Sequence, residues 1–189
     1  EEPEEILRIV TDFFLKSNLL SGRKVLISAG PTYELIDPVR FIGNFSSGKM
    51  GYALAEDAAA RGAQVVLVSG PVDLKPLHPG IRLISVTSAA QMAEACFSEF
   101  KSSDIAIMAA AVADYTVADP APLKIKKSGD KLTIELCKTT DILATLGKQK
   151  QAGQFLAGFA LETDNEKSNA LSKLKNKHLD MIVLNSLND

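Results

Sequence analysis

Short apolar runs and longer amphipathic stretches take turns along most of the chain. Residues 24–29 (KVLISA), 64–69 (QVVLVS), 104–111 (DIAIMAAA), 155–160 (FLAGFA) and 181–184 (MIVL) are almost continuously apolar. Strands buried on both faces read this way, because neither face needs a polar residue every second position. Residues 81–86 add a further short strand. Between these runs the apolar spacing is helical. The expected helices are 47–61, closed by Gly62, 89–100, capped by Ser88, 140–149, capped by Thr139 or Thr140, and 165–177. Residues 1–20 form one more amphipathic helix, with Ile6, Ile9, Val10, Phe13 and Phe14 on one side. It is expected to be a linker or docking helix ahead of a domain over 21–189.

Strands alternating with helices predict a doubly wound, mostly parallel, Rossmann-like α/β sheet. Residues 132–137 alternate polar and apolar and predict an inserted antiparallel strand. The informative stretches cluster where the parallel strands end. After the first strand come Gly30-Pro31-Thr32 and a long loop over 33–42. After the fourth come Ala109, Ala110, Ala111 and Asp114, small residues that let a ligand approach the backbone. A loop at 120–131 carries Lys124, Lys126 and Lys127, and Glu162-Thr163-Asp164 ends the fifth strand. Ligands of doubly wound sheets bind at these carboxyl ends.

The segment Gly43-Asn-Phe-Ser-Ser-Gly-Lys-Met-Gly51 opens the second helix. Small side chains, unpaired N–H groups and a positive helix end suit a phosphate. It resembles the start of a P-loop, but Met50 stands where that motif needs Ser or Thr for Mg²⁺. A dinucleotide-binding oxidoreductase is a second reading. Against it, the G-x-G-x-x-G spacing is missing at Gly30. The second strand also ends in Ser69-Gly70 rather than an acidic residue. A nucleotide-binding module without catalysis is a third.

Composition removes several classes. A length of 189 residues, 46% hydrophobic and 23% charged, fits one α/β domain. A net charge of −2 gives no basic field for nucleic acid. No apolar run is long enough for a membrane helix. Cys96 and Cys137 lack metal-ligand spacing and are expected to be buried free thiols of a reducing, cytoplasmic compartment. His78 and His178 have no partners at catalytic or metal-site spacing, so no metal ligands are assigned.

Four motifs in order, Ser28-Ala-Gly-Pro-Thr32, Asp37-Pro-Val-Arg-Phe-Ile-Gly-Asn-Phe-Ser-Ser-Gly-Lys-Met-Gly51, Ala109-Ala-Ala-Val-Ala-Asp-Tyr115 and Lys124-Ile-Lys-Lys127, closely resemble phosphopantothenoylcysteine synthetase, a phosphopantothenate–cysteine ligase. The resemblance runs from about Gly22 to Asn185. In bacteria this activity is usually fused behind a flavin-dependent decarboxylase of coenzyme A synthesis, and residues 1–20 would be the junction. Such enzymes use CTP and Mg²⁺ to activate 4′-phosphopantothenate as an acyl-cytidylate, which cysteine then attacks.

The resemblance implies the roles. Ser46, Ser47, Gly48, Lys49, Met50 and Gly51 would cradle the triphosphate, with Gly30 beside them. Asn44 would hold the acyl group, and Lys124 would be the catalytic lysine of a flap. Arg40 would reach the pantothenate phosphate of a neighbouring subunit, which implies a homodimer. Ala109, Ala110 and Asp114 would line the nucleotide and pantothenate site. Thr140, Asp141, Ile142, Leu143, Phe159, Lys173 and Lys177 would contact CTP. The family often has Asn-Pro-Asp-Ile where this chain has Thr139-Thr-Asp-Ile142. Relatives continue past Asn185, so a C-terminal part is expected to be missing here.

Overall fold

Both faces of the first strand are buried, and that fact organises the sheet. A computed structural model describes residues 2–16, 19–127, 129–162 and 164–186. In chain order the elements begin with α1 (Pro3–Lys16), β1 (Lys24–Ala29), β2 (Tyr33–Leu35) and β3 (Phe41–Gly43). There follow α2 (Lys49–Ala60), β4 (Gln64–Ser69), β5 (Ile81–Ser85), α3 (Ala89–Phe100) and β6 (Ile105–Met108). The rest are β7 (Tyr115–Val117), β8 (Leu136–Lys138), α4 (Ile142–Gln149), β9 (Phe155–Glu162), α5 (Glu166–Asn176) and β10 (Met181–Ser186).

Six strands form the main sheet in the order β10-β9-β6-β1-β4-β5, and every pair in it is parallel. The chain winds outward from β1 through β4 to β5, then returns to lay β6 on the other side of β1. The switch point therefore lies between β1 and β6. The fold class expected from the alternating pattern is the one observed.

Side chains on successive residues enter opposite layers, as the pleat requires. Val25, Ile27 and Ala29 of β1 pack with Val65 and Leu67 of β4 under α2, where Tyr52, Ala55 and Ala59 meet them. Leu26, with Val66 and Val68, faces the other way. That layer is filled by Met92, Cys96 and Phe100 of α3 and Leu146 of α4. Ser88 caps α3 in a full capping box with Gln91.

The local differences from expectation have physical causes. The long loop over 33–42 is a small antiparallel hairpin of β2 and β3. Its turn is made by Asp37, whose carboxylate accepts N–H bonds from Val39 and Arg40, each at 2.9 Å. Strand β8 is shorter than the expected 132–137 and pairs with β7 as a second antiparallel pair. Helix α2 starts at Lys49 because Gly48 takes a left-handed φ of 74°. Helix α4 is capped by Asp141, not by Thr139 or Thr140. Cys137 is exposed, whereas Cys96 is buried as expected. The side chains of Ile9, Phe13 and Phe14 lie outside the described residues, as do Thr163 and residues 187–189. Among the described residues no helix is long and apolar enough to cross a membrane.

Candidate active site

The site is built on the gap that the sheet's reversal opens at the carboxyl ends of β1 and β6. Ser28 is a polar residue in an otherwise apolar strand and is 3% exposed. Its hydroxyl accepts a hydrogen bond from Ala110 N–H at 3.2 Å, and its carbonyl accepts from Ala109 N–H at 3.2 Å. Ala111 N–H reaches Gly30 O at 2.9 Å. Residues 109–111 thus stay tied to β1 after β6 has ended. Their small side chains keep the backbone open to a ligand.

The chain beyond is held by side chains. Buried Thr32 accepts from Ala113 N–H at 2.9 Å, and Thr139 donates its hydroxyl to Ala113 O at 2.6 Å. The segment leading into α4 is thereby drawn against residues 113–114. Between them opens a cavity of about 390 Å³, a volume suited to a small organic ligand. Eight of the expected site residues border it: Ala110, Asp114, Thr140, Asp141, Ile142, Leu143, Phe159 and Lys177. Ser28, Tyr115 and Lys138 also border it and were not anticipated as site residues. For Ser28 the signal was present: a lone hydroxyl in a strand with both faces buried.

Charge on this wall is arranged by a pair. Asp141 Oδ1 accepts from Ala144 N–H at 2.9 Å, and Oδ2 meets Lys177 Nζ at 2.8 Å. Burial pushes the pKa of this carboxyl up. The Lys177 ammonium, the helix N–H and nearby Lys148 push it down further, so the net value lies below the ordinary one. Lys177 follows the last turn of α5 and brings its ammonium to the cavity rim. Lys173, one turn earlier, does not line the cavity.

The glycine-rich segment forms a second part of the site, outside the cavity wall. No side chain caps α2. Ser46 and Ser47 offer only long contacts, to Gly48 N–H at 3.3 Å and Lys49 N–H at 3.4 Å. Gly48 is pressed so close to the end of β1 that a Cβ there would lie 3.1 Å from Val72 and 3.5 Å from Gly30 N. Lys49 and Met50 are exposed, and Ser46 and Ser47 border a shallow depression with Tyr33 and Val72. The first turn of α2 therefore presents N–H groups and a lysine to solvent, which suits an anion. Asn44 links the two parts, since its Nδ2 donates to Val112 O at 3.0 Å and Val112 lines the cavity.

Arg40 and Lys124 stand apart from the cavity. Arg40 Nε donates to Asp37 Oδ2 at 3.0 Å, Nη2 also binds that oxygen, and Nη2 reaches Ile125 O at 2.9 Å. Lys124 is exposed and, among the described residues, makes no hydrogen bond or ion pair. No group of three or more His, Cys, Asp or Glu that could hold a metal ion occurs among the described residues.

The family model for the DNA/pantothenate metabolism flavoprotein C-terminal domain matches residues 20–189. A relative from an unknown prokaryotic organism, named cysteine/cysteine sulfinic acid decarboxylase, is 57% identical over 100% of this chain and 54% of its own length. The coenzyme A biosynthesis bifunctional protein CoaBC of Haemophilus influenzae is 48% identical over 98% of this chain and 46% of its own. The chain spans about half the length of these curated relatives. A crystal structure of the C-terminal domain of CoaBC superposes with a TM-score of 0.78 at 48% identity, covering 88% of this chain and 79% of that one. With a family model that spans nearly the whole chain and relatives this similar, the protein belongs to the family of the DNA/pantothenate metabolism flavoprotein C-terminal domain.

Proposed function

We propose that this domain ligates 4′-phosphopantothenate to L-cysteine, with CTP as the activating nucleotide. The observation that carries the reading is the gathering of eight expected nucleotide and substrate residues around one cavity at the switch point. The likeness to CoaBC over the chain's length supports it.

A carboxylate oxygen of phosphopantothenate attacks the α-phosphorus of CTP, and pyrophosphate leaves. The cysteine amine then attacks the acyl carbon of the acyl-cytidylate, CMP leaves, and the amine proton passes to solvent. The first step develops charge on phosphoryl oxygens. The N–H groups at the start of α2, held only by long contacts to Ser46 and Ser47, and the ammonium groups of Lys49 and Lys124 are suited to meet it. Asp141, Ile142, Leu143 and Phe159 would hold the cytidine, with Lys177 kept in place by Asp141. Ala110, Asp114 and Asn44 would hold the acyl portion. Mg²⁺ bound with the nucleotide would offset charge on the triphosphate, and no residue of this chain is assigned to hold it.

Arg40 would take the phosphate of phosphopantothenate through Nη1, the nitrogen not committed to Asp37 or Ile125. It is proposed to do so for a neighbouring subunit. A homodimer is supported by apolar side chains exposed on the hairpin and its flank, among them Leu35, Val39, Phe41 and Phe45. A cytoplasmic location goes with this reading.

The test is pyrophosphate release with CTP, Mg²⁺ and 4′-phosphopantothenate, with and without cysteine, followed by mass spectrometry of the product. Pyrophosphate together with a cysteine adduct is the expected result. No pyrophosphate from folded protein, or CO₂ released from cysteine without nucleotide consumption, would replace the ligase reading. Lys124→Gln should lower turnover by about 10²-fold or more while CTP binding persists. Near-normal turnover would remove Lys124 from the chemistry.

A further inference from the structure

The turn between β2 and β3 does more than join two strands. Asp37 is 1% exposed and its two oxygens have separate tasks. Oδ1 accepts from Val39 and Arg40 N–H, which is all that an Asp-initiated turn requires. Oδ2 is surplus to the turn. It accepts from the Arg40 guanidinium and from Ile125 N–H at 3.0 Å, 88 residues away in sequence. Arg40 Nη2 completes the arrangement by donating to Ile125 O at 2.9 Å. Both backbone polar groups of Ile125 are therefore held by one ion pair, whose carboxylate is buried and whose guanidinium is half-exposed. Ala121 N–H bonds Ile36 O at 2.9 Å, a second tie to the same turn. Among the described residues, every hydrogen bond to 119–127 comes from residues 36, 37 and 40.

The residue before Ile125 is Lys124, whose own side chain has no partner among the described residues. A lysine's reach is set by where its Cα sits, because the flexible stem contributes no direction. We propose that Asp37 is a positioning residue for Lys124, acting through Arg40 and the clamped peptide groups of Ile125. This rests on the ligase reading given above. The carboxylate is needed as such: an amide would turn an N–H₂ toward either the turn donors or the Arg40–Ile125 cluster. The Arg40 guanidinium beside Asp37, with the surrounding N–H groups, holds its carboxyl well below the ordinary carboxylate range, so the clamp stays charged at neutral pH.

The test uses the whole chain and the substitution Asp37→Asn. Trypsin cleavage after Lys124, Lys126 and Lys127, followed by mass spectrometry, reads the clamp without any substrate. Cleavage there should become several-fold faster while sites elsewhere keep their rates, and an unchanged rate would overturn the clamp. In pyrophosphate release, Asp37→Asn should lower kcat about tenfold with the KM for CTP within about twofold. Added to Lys124→Gln, it should cost less than about twofold more, since both changes remove the same interaction. A full, additive loss would show that Asp37 acts by some route other than Lys124 and would overturn the proposal. If the unsubstituted chain releases no pyrophosphate, the ligase reading fails while the trypsin result still decides the clamp. Should Asp37→Asn fail to fold, Arg40→Lys keeps the charge and removes the bond to Ile125 O. The same pattern, read at saturating phosphopantothenate, is expected.

Discussion

The two sides of the switch point are made by opposite means. On the β1–α2 side the groups on offer to an anion are backbone N–H groups, and glycines bring them there. On the β6–α4 side the surface is made of side chains: Thr139, Asp141 and Lys177, each fixed by a bond to another element, with Phe159 of β9 beside them. A backbone-built site fails when a side chain is added. A side-chain-built site fails when one is taken away. The two failures should differ in size, because an added atom in a tight crossing displaces whole elements, whereas a lost bond leaves the frame standing.

The largest effect is expected at Gly51. A Cβ there would lie 2.5 Å from the Ala29 Cβ and 3.0 Å from Ser28 O, where α2 crosses the end of β1. Neither neighbour is the tip of a flexible chain, so α2 must move away from the sheet. Gly51→Val should cost about 3 kcal/mol or more and should also spoil the turn proposed to take the triphosphate. Denaturant unfolding measures the first effect and CTP affinity the second. Full stability in Gly51→Val would mean that the close crossing is not needed to seat the helix.

How much of this was visible in the chain follows from the same contrast. β1, β4 and β9 were legible because burial on both faces leaves continuous apolar runs. The glycine segment was legible because glycines and serines ahead of a helix have few other uses. The hairpin of β2 and β3 was not. Three-residue strands carry no periodicity, and their pairing depends on the Asp37 turn and on Tyr33 N–H reaching Thr87 O at 2.8 Å. The cavity was legible only in part. Asp141 and Ile142 came through family resemblance, but nothing in the sequence brings Ser28 to face Lys138 across 110 residues. Thr139 or Thr140 was expected to cap α4, and Asp141 does so. The Thr139 hydroxyl instead holds Ala113 O, because that carbonyl has to be satisfied where the strand gives way to the loop.

An intermediate effect is expected at Ser28, where the two sides meet. Ser28→Ala leaves the partly buried Ala110 N–H without its partner and changes no volume to speak of. The cost should be roughly 1–3 kcal/mol, below that at Gly51. Ser28→Thr keeps the hydroxyl and tests whether the bond or the small volume matters. A loss in Ser28→Ala that Ser28→Thr restores assigns the effect to the bond. The opposite order assigns it to crowding at the cavity floor.

The smallest effect should come from the Asp141–Lys177 pair, because both side chains are partly solvated, at 50% and 25% exposure. Exposed pairs contribute about 0.2–1 kcal/mol and weaken with salt. The pKa of Asp141 is lowered in the folded chain. The pair's contribution is therefore complete above the unfolded carboxylate value, near 4, and is lost as pH falls through the lower folded value. Other depressed carboxylates, Glu99, Asp104 and Asp180 among them, destabilise the whole chain over the same range. The informative quantity is thus the difference in Tm between the unsubstituted chain and Lys177→Met. It should be about 1–3 °C and flat from pH 8 to 5, then shrink below about pH 4. A difference that survives at low pH would mean that Lys177 works through its packed stem. The rim of the cavity would then be held by contact, like the glycine side, and not by charge.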